Sequence, residues 1–268
     1  MNQGAGSRNE IRIRAGERAV PHSNWRAVFF CLCWCMGFTP ATAFGGVEDV
    51  AVEAVRPDSL VRMEAAVNAT PKDGEAWVRL GHAYLSTGEL KKAEKAFKKG
   101  VRYARSARAH YGLGLALMQD PLRLRLAVGS FKRALRIDPT LIDAQMSIVQ
   151  CYIEGGYSEA EKALKRAIEM DSTYAPAYLK LAEYYQDEGL DDRGIEAFQT
   201  YLSVRPTDAD GHYGLALTYI DRHRYDLVLQ VAEATHRAHP NDARFLALLG
   251  QAYAARGDAG RALEVFEE

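Results

Sequence analysis

The 268-residue chain has little of several things that usually announce a function. Cysteine is scarce. Of four, Cys31, Cys33 and Cys35 sit together near the start, so the remaining body holds Cys151 alone and cannot build a disulfide framework. The Cys-x-Cys-x-Cys run lacks the two-residue gaps and the second ligand group of a zinc module. Long apolar runs are missing too, since Ala27 to Phe38 spans only 12 residues where a membrane helix needs about 20. Net charge is close to nil, −1 at pH 7. With 48% apolar and 26% charged residues, collagen-like, disordered and strongly nucleic-acid-like compositions are excluded.

Catalytic signatures are missing as well: there is no His-Glu-x-x-His, no phosphate loop ending in Gly-Lys-Ser/Thr and no Gly-x-Ser-x-Gly. His236 and His239 are three apart, but no third metal ligand lies near them in sequence. Gly112-Leu113-Gly114 opens no strand-to-helix turn and is explained by close helix packing. Asn68-Ala69-Thr70 matches a glycan acceptor but precedes Pro71. Cys151 falls on an apolar helix face and reads as core. These absences predict a chain that is no enzyme and uses no cofactor and no metal.

What is present begins with a leader. Arg8, Arg12, Arg14, Arg18 and Arg26 against Glu10 and Glu17 make a basic stretch, followed by the apolar run and Thr39-Pro40-Ala41-Thr42-Ala43. A basic region, a short apolar run and small residues at the cleavage positions predict an export signal over 1–43, cut after Ala43. An uncleaved membrane anchor over 27–38 is the alternative. Lipidation at Cys35 is disfavoured because Cys33 and Trp34 stand where small residues are needed. The expected location is exported, periplasmic or cell envelope.

From residue 74 the sequence repeats with a period near 34. One first-helix column reads Gly81, Gly114, Val149, Ala182, Ala216 and Gly250; three residues later come Tyr84, Leu117, Tyr152, Tyr185, Tyr219 and Tyr253. Second-helix columns read Ala93, Ala127, Ala160, Gly194, Val228 and Ala262, then Phe97, Phe131, Leu164, Phe198, Ala232 and Phe266. Gly88, Gly156, Gly189 and Gly257 fall between the two helices of a unit, where a left-handed stop is needed, and Pro139, Pro206 and Pro240 close second helices. The small residue of each pair lets helices approach and the bulky one fills the gap beyond.

Trp77-x-x-Leu80-Gly81-x-x-Tyr84, followed by Gly88, Ala93, Phe97 and Gly100, closely resembles a tetratricopeptide repeat (TPR). The resemblance implies an all-α, right-handed superhelical solenoid of antiparallel helix pairs. About six units are expected, over 74–106, 107–140, 141–173, 174–207, 208–241 and 242–268, the last incomplete. Residues 44–57 form a linker, and 58–73 a capping helix with Ser59, Met63 and Ala66 at second-helix positions. One residue is extra near Pro121, and unit five has Val228 and Thr235 in the small columns.

In TPR proteins first helices line the inner groove. The matching positions are Val78, His82, Tyr111, Leu115, Met118, Met146, Gln150, Ile153, Leu179, Glu183, Gln186, Tyr213, Leu217, Ile220 and Gln251. This mixture of apolar, aromatic and amide side chains suits an extended or helical peptide. A carboxylate clamp is excluded, because its lysines and asparagines are replaced by Val78, His82, Tyr111, Gly112 and Leu115.

Charge is polarised beneath the balanced total: −4 over 44–90, +11 over 91–136 and −11 over 137–268, with +3 from the leader. Lys91, Lys92, Lys95, Lys98, Lys99, Arg102, Lys132, Arg133 and Arg136 lie on second helices and form either a solvated face or an electrostatic patch for anionic envelope components. The polarity also allows head-to-tail self-association. The predicted function is therefore a protein-interaction scaffold binding a peptide or protein partner, with no nucleic-acid role. Leu263, Val265 and Phe266 face an unfilled end, so either a fragment or a further domain downstream is expected, and a targeting or regulatory arm of that larger protein is the alternative reading.

Overall fold

The computed structural model describes residues 57–267. The leader with its three cysteines, and the linker up to residue 56, lie outside the described residues. Those described contain thirteen α-helices, one short 3₁₀ turn and no strand.

The helices are α1 (Pro57–Ala69), α2 (Gly74–Ser86), α3 (Leu90–Tyr103), α4 (Ala107–Met118), α5 (Leu124–Ile137), α6 (Ile142–Glu154) and α7 (Ala160–Met170). After these come α8 (Ala175–Asp187), α9 (Asp191–Val204), α10 (Ala209–Asp221), α11 (Tyr225–Ala238), α12 (Ala243–Ala255) and α13 (Ala259–Glu267). Each helix packs on the next. Even-numbered helices are the first helices of six units and odd-numbered ones from α3 are the second. First helices of neighbouring units also meet, at α2–α4, α4–α6, α8–α10 and α10–α12, whereas no two successive second helices pack to that degree. First helices therefore line the tighter side of the stack.

Local chemistry explains the boundaries. The Asp73, Asp208 and Asp242 carboxylates accept from the backbone N–H groups of Ala76, Gly211 and Arg244, capping α2, α10 and α12. Each stands two residues after a proline, at Pro71, Pro206 and Pro240. Between the helices of a unit the chain turns through Gly88, Gly156, Gly189 and Gly257, all at positive φ from 61° to 83°. Unit five departs: His223 takes the same place at φ 55°. The extra residue of unit two is absorbed by the 3₁₀ turn Pro121–Arg123, where Asp120 accepts from the Leu122 N–H.

Ala93, Phe97, Ala127, Phe131, Ala160, Leu164, Phe198, Val228 and Ala232 are buried at 1% exposure or less, so the small and bulky columns are core through unit five, whereas Phe266 of unit six is exposed. Helix α1 differs from expectation in its buried stripe. Val67 is buried and Leu60 and Met63 pack beside it, while Ala66 is exposed. Spacing 60–63–67 puts these three on one face. No described helix is long and apolar enough to cross a membrane.

Candidate functional site

The face built by the first helices is the natural candidate, because side chains there project from the tighter side of the stack. Twelve of the fifteen positions singled out from sequence are half-buried: His82, Tyr111, Leu115, Met118, Gln150, Ile153, Leu179, Glu183, Gln186, Tyr213, Leu217 and Ile220. Gln251 is exposed. Val78 and Met146 are not surface residues at all: both are buried, Val78 with a methyl group turned toward the Cα of Gly100. Val78 fills the gap that Gly100 of the facing helix α3 leaves.

The half-buried rings are anchored from behind. His82 meets Phe97 edge-on at 5.0 Å, Tyr111 lies 5.7 Å from Phe131, and Tyr213 meets Phe245 edge-on at 6.2 Å. Burial, reinforced by Arg108, lowers the His82 pKa and favours its neutral form. The Tyr111 hydroxyl lies against Ser147 and near Asp143 and Tyr174, which ties α4 to α6 and to the start of α8. On α6 the Gln150 amide donates to Glu154 (2.6 Å), and on α8 Lys180 pairs with Glu183 (2.6 Å). Arg244 reaches from α12 to Asp210 (2.8 Å) and stacks over Tyr213 at 4.9 Å.

The basic set occupies the opposite helices. Lys91, Lys92, Lys95, Lys98, Lys99, Arg102, Lys132, Arg133 and Arg136 are all exposed, on α3 and α5. Several are locally engaged: Lys92 with Glu89, Lys98 with Glu94 (2.7 Å), Lys99 over the Trp77 ring (3.8 Å) and Lys132 with the Tyr152 hydroxyl (2.9 Å). Arg133 and Arg136 lie close enough to His110 to disfavour its protonation, an effect secondary to burial.

Sequence reading missed a ladder of contacts between units. Tyr84, Tyr219 and Tyr253 each reach a polar side chain 20 residues earlier, on the preceding second helix: Glu64, Gln199 and Glu233. Arginines at unit turns do the same, Arg123 to Glu94, Arg222 to Asp192 and Arg256 to Asp226. The recurring 20- and 30-residue offsets were the available signal.

No group of three His, Cys, Asp or Glu side chains fit to hold a metal occurs among the described residues. Open dips occur at turns, one beside His239, Pro240 and Arg244 and another beside Tyr253, Arg256 and Arg261.

Family models described as tetratricopeptide repeat match residues 74–106 and 213–268. These two segments carry tetratricopeptide repeats. Among curated proteins it is 23% identical over 190 residues to the TPR repeat-containing protein YpiA of Bacillus subtilis, covering 70% of this chain and 45% of that one. It is 22% identical over 204 residues to human DnaJ homolog subfamily C member 7, covering 76% and 37%. The chain thus spans less than half the length of either relative. Among solved structures, YrrB, described as a TPR protein with an unusual peptide-binding site, superposes with a TM-score of 0.55 at 20% identity, over 69% of this chain and 96% of that one. The type IV pilus biogenesis factor PilW gives 0.58 at 21%, over 74% and 94%. At these identities the structural likeness speaks for the TPR fold alone.

Proposed function

We propose that this protein is a non-enzymatic interaction scaffold that binds a polypeptide segment of a partner along its first-helix face. TPR proteins act as such scaffolds, and one observation supports this face in particular. Half-buried apolar and aromatic side chains recur on it from unit to unit, Leu115, Ile153, Leu179, Leu217 and Ile220 among them, fixed from behind by the core. Rigid apolar positions at regular spacing give affinity at small entropic cost, and Gln150, Gln186 and Gln251 supply polar groups that can read a backbone. The leader in the sequence supports placing the work in the cell envelope, after export or at an anchor.

The test is capture of partners by the full chain from envelope extract. Leu179→Arg and Leu217→Arg together should abolish specific capture, whereas Leu126→Arg on the exposed second-helix side should leave it intact. Circular dichroism and thermal melting of each variant separate lost binding from lost folding. Capture that survives the first-helix pair and fails with Lys91→Glu and Lys95→Glu would move the binding site to the basic face.

A further inference from the structure

Resting on the reading of the first-helix face as a polypeptide-binding surface, we propose that its occupant is a cationic segment of another protein, with aliphatic or aromatic anchors, seated across α6, α8 and α10.

These three helices carry six carboxylates and one lysine. The first helices on either side do not share this excess: α2 holds one acid and one arginine, and α4 and α12 hold one arginine each and no acid. Of the six, Glu183 is paired with Lys180 and Asp210 with Arg244, as Glu94, Asp192, Asp226 and Asp242 are paired on or beside other helices. On the central face Asp143, Glu154 and Asp221 have no ion-pair partner among the described residues.

Asp143 sits half-buried at the start of α6, near the Tyr111 and Tyr174 rings, and loss of water raises its pKa. Asp221, at the end of α10, is raised by burial and by the neighbouring Asp191. Charge that has no ion-pair partner within the chain, half-buried at Asp143 and exposed at Glu154 and Asp221, is compensated by an incoming ammonium or guanidinium. Lysine and arginine also lay their stems along apolar surface, which Leu179 and Leu217 provide between the carboxylates. Nucleic acid and anionic lipid are repelled here, and a metal ion finds no cluster of three ligands.

The experiment uses three 18-residue peptides with leucine at helical i, i+3, i+4, i+7 spacing and Lys, Gln or Glu elsewhere, titrated against the full chain by fluorescence anisotropy. The Lys peptide is expected to bind at least tenfold tighter than the Gln peptide, with affinity falling as salt rises, and the Glu peptide not at all. Each of Asp143→Asn, Glu154→Gln and Asp221→Asn should weaken the Lys peptide by about two- to fivefold and leave the Gln peptide unchanged. Equal binding of Lys and Gln peptides, lost in Leu179→Arg with Leu217→Arg, keeps the polypeptide-binding face and overturns its cationic specificity. Failure of all three peptides to bind overturns both. Self-association in sedimentation that the Lys peptide dissolves assigns the face to the basic α3–α5 surface of a second copy, and overturns the assignment to another protein.

Discussion

A Cβ atom on Gly112 would come within 2.2 Å of the Phe97 ring. The same ring fills the space beside Gly81, where a Cβ would approach to 2.7 Å. Phe97, on the second helix of unit one, is therefore wedged between the first helices of units one and two. Phe198 repeats the wedge against Gly214, at 2.3 Å. Glycine normally weakens a helix by up to about 1 kcal/mol relative to alanine, so its presence in α4 and α10 is explained by packing and not by propensity.

Gly112→Ala should therefore destabilise the protein although it improves helix propensity. Overpacking of a closed core costs roughly 1–3 kcal/mol, and the neighbour that must yield is a fully buried ring. Urea unfolding is expected to show a net loss of about 1–2 kcal/mol. Gly129→Ala, where no atom lies within 4 Å of the added group, should stabilise and serves as the control.

The pair Glu94–Arg123 joins units one and two through two hydrogen bonds of 2.8 and 2.9 Å, with Lys98 at 2.7 Å on the same carboxylate. The Arg123 guanidinium, aided by Lys98, pulls the Glu94 carboxyl from 4.5 down to about 2. A depressed folded-state pKa means that the contribution is whole above 4.5 and fades as pH falls toward 2. Glu94→Gln should cost about 1 kcal/mol at pH 7, and the gap to wild type should close between pH 4.5 and 2 in denaturant titrations. A pH-independent gap would assign the loss to packing.

Much of this architecture was legible because each unit touches only its neighbours, so a 34-residue period in small and bulky residues states the contacts outright. Phe97 over Gly81 is readable from one column facing another. Gly112 was read as packing, but its partner was not, because Phe97 belongs to the preceding unit. Val78 and Met146 were misplaced because register fixes the side of a helix and not the depth, which for Val78 is set by the space beside Gly100 on the facing helix. The unpaired charge of Asp143 also stays hidden in sequence, because the period places it on a first helix but does not show which carboxylates find a cation across units.

His223 occupies the inter-helix position held by glycine in units one, three, four and six, at φ 55°. A side chain there raises the energy of a left-handed residue. The imidazole Nδ1 lies 2.9 Å from the Tyr225 hydroxyl, which offsets part of that strain at an exposed site. His223→Gly should stabilise unit five by about 0.5 kcal/mol, read as a rise in the urea midpoint, and His223→Val, β-branched at positive φ, should lower it by more than that.

Cys151 is fully buried on α6, and burial pushes its thiol pKa up to about 12, with Glu154 adding to the effect. The thiolate is the reactive form, so a folded unit three keeps this cysteine silent at pH 7.5. With a fast thiol reagent in excess, modification should follow the opening of unit three and not the reagent concentration. Its rate should rise when the adjoining interface is loosened, for instance by removing the Gln145 amide that donates to the Ala163 carbonyl at 2.7 Å. Gln145→Leu is the suitable variant: it removes a hydrogen bond between α6 and α7 worth about 0.5–1.5 kcal/mol, while the Ala163 carbonyl keeps its partner within the helix. Labelling that speeds up by more than the fall in global stability read from urea unfolding would identify α6 and α7 as a unit that opens locally within the stack, and labelling that changes only in step with global stability would show that Cys151 is reached by global unfolding.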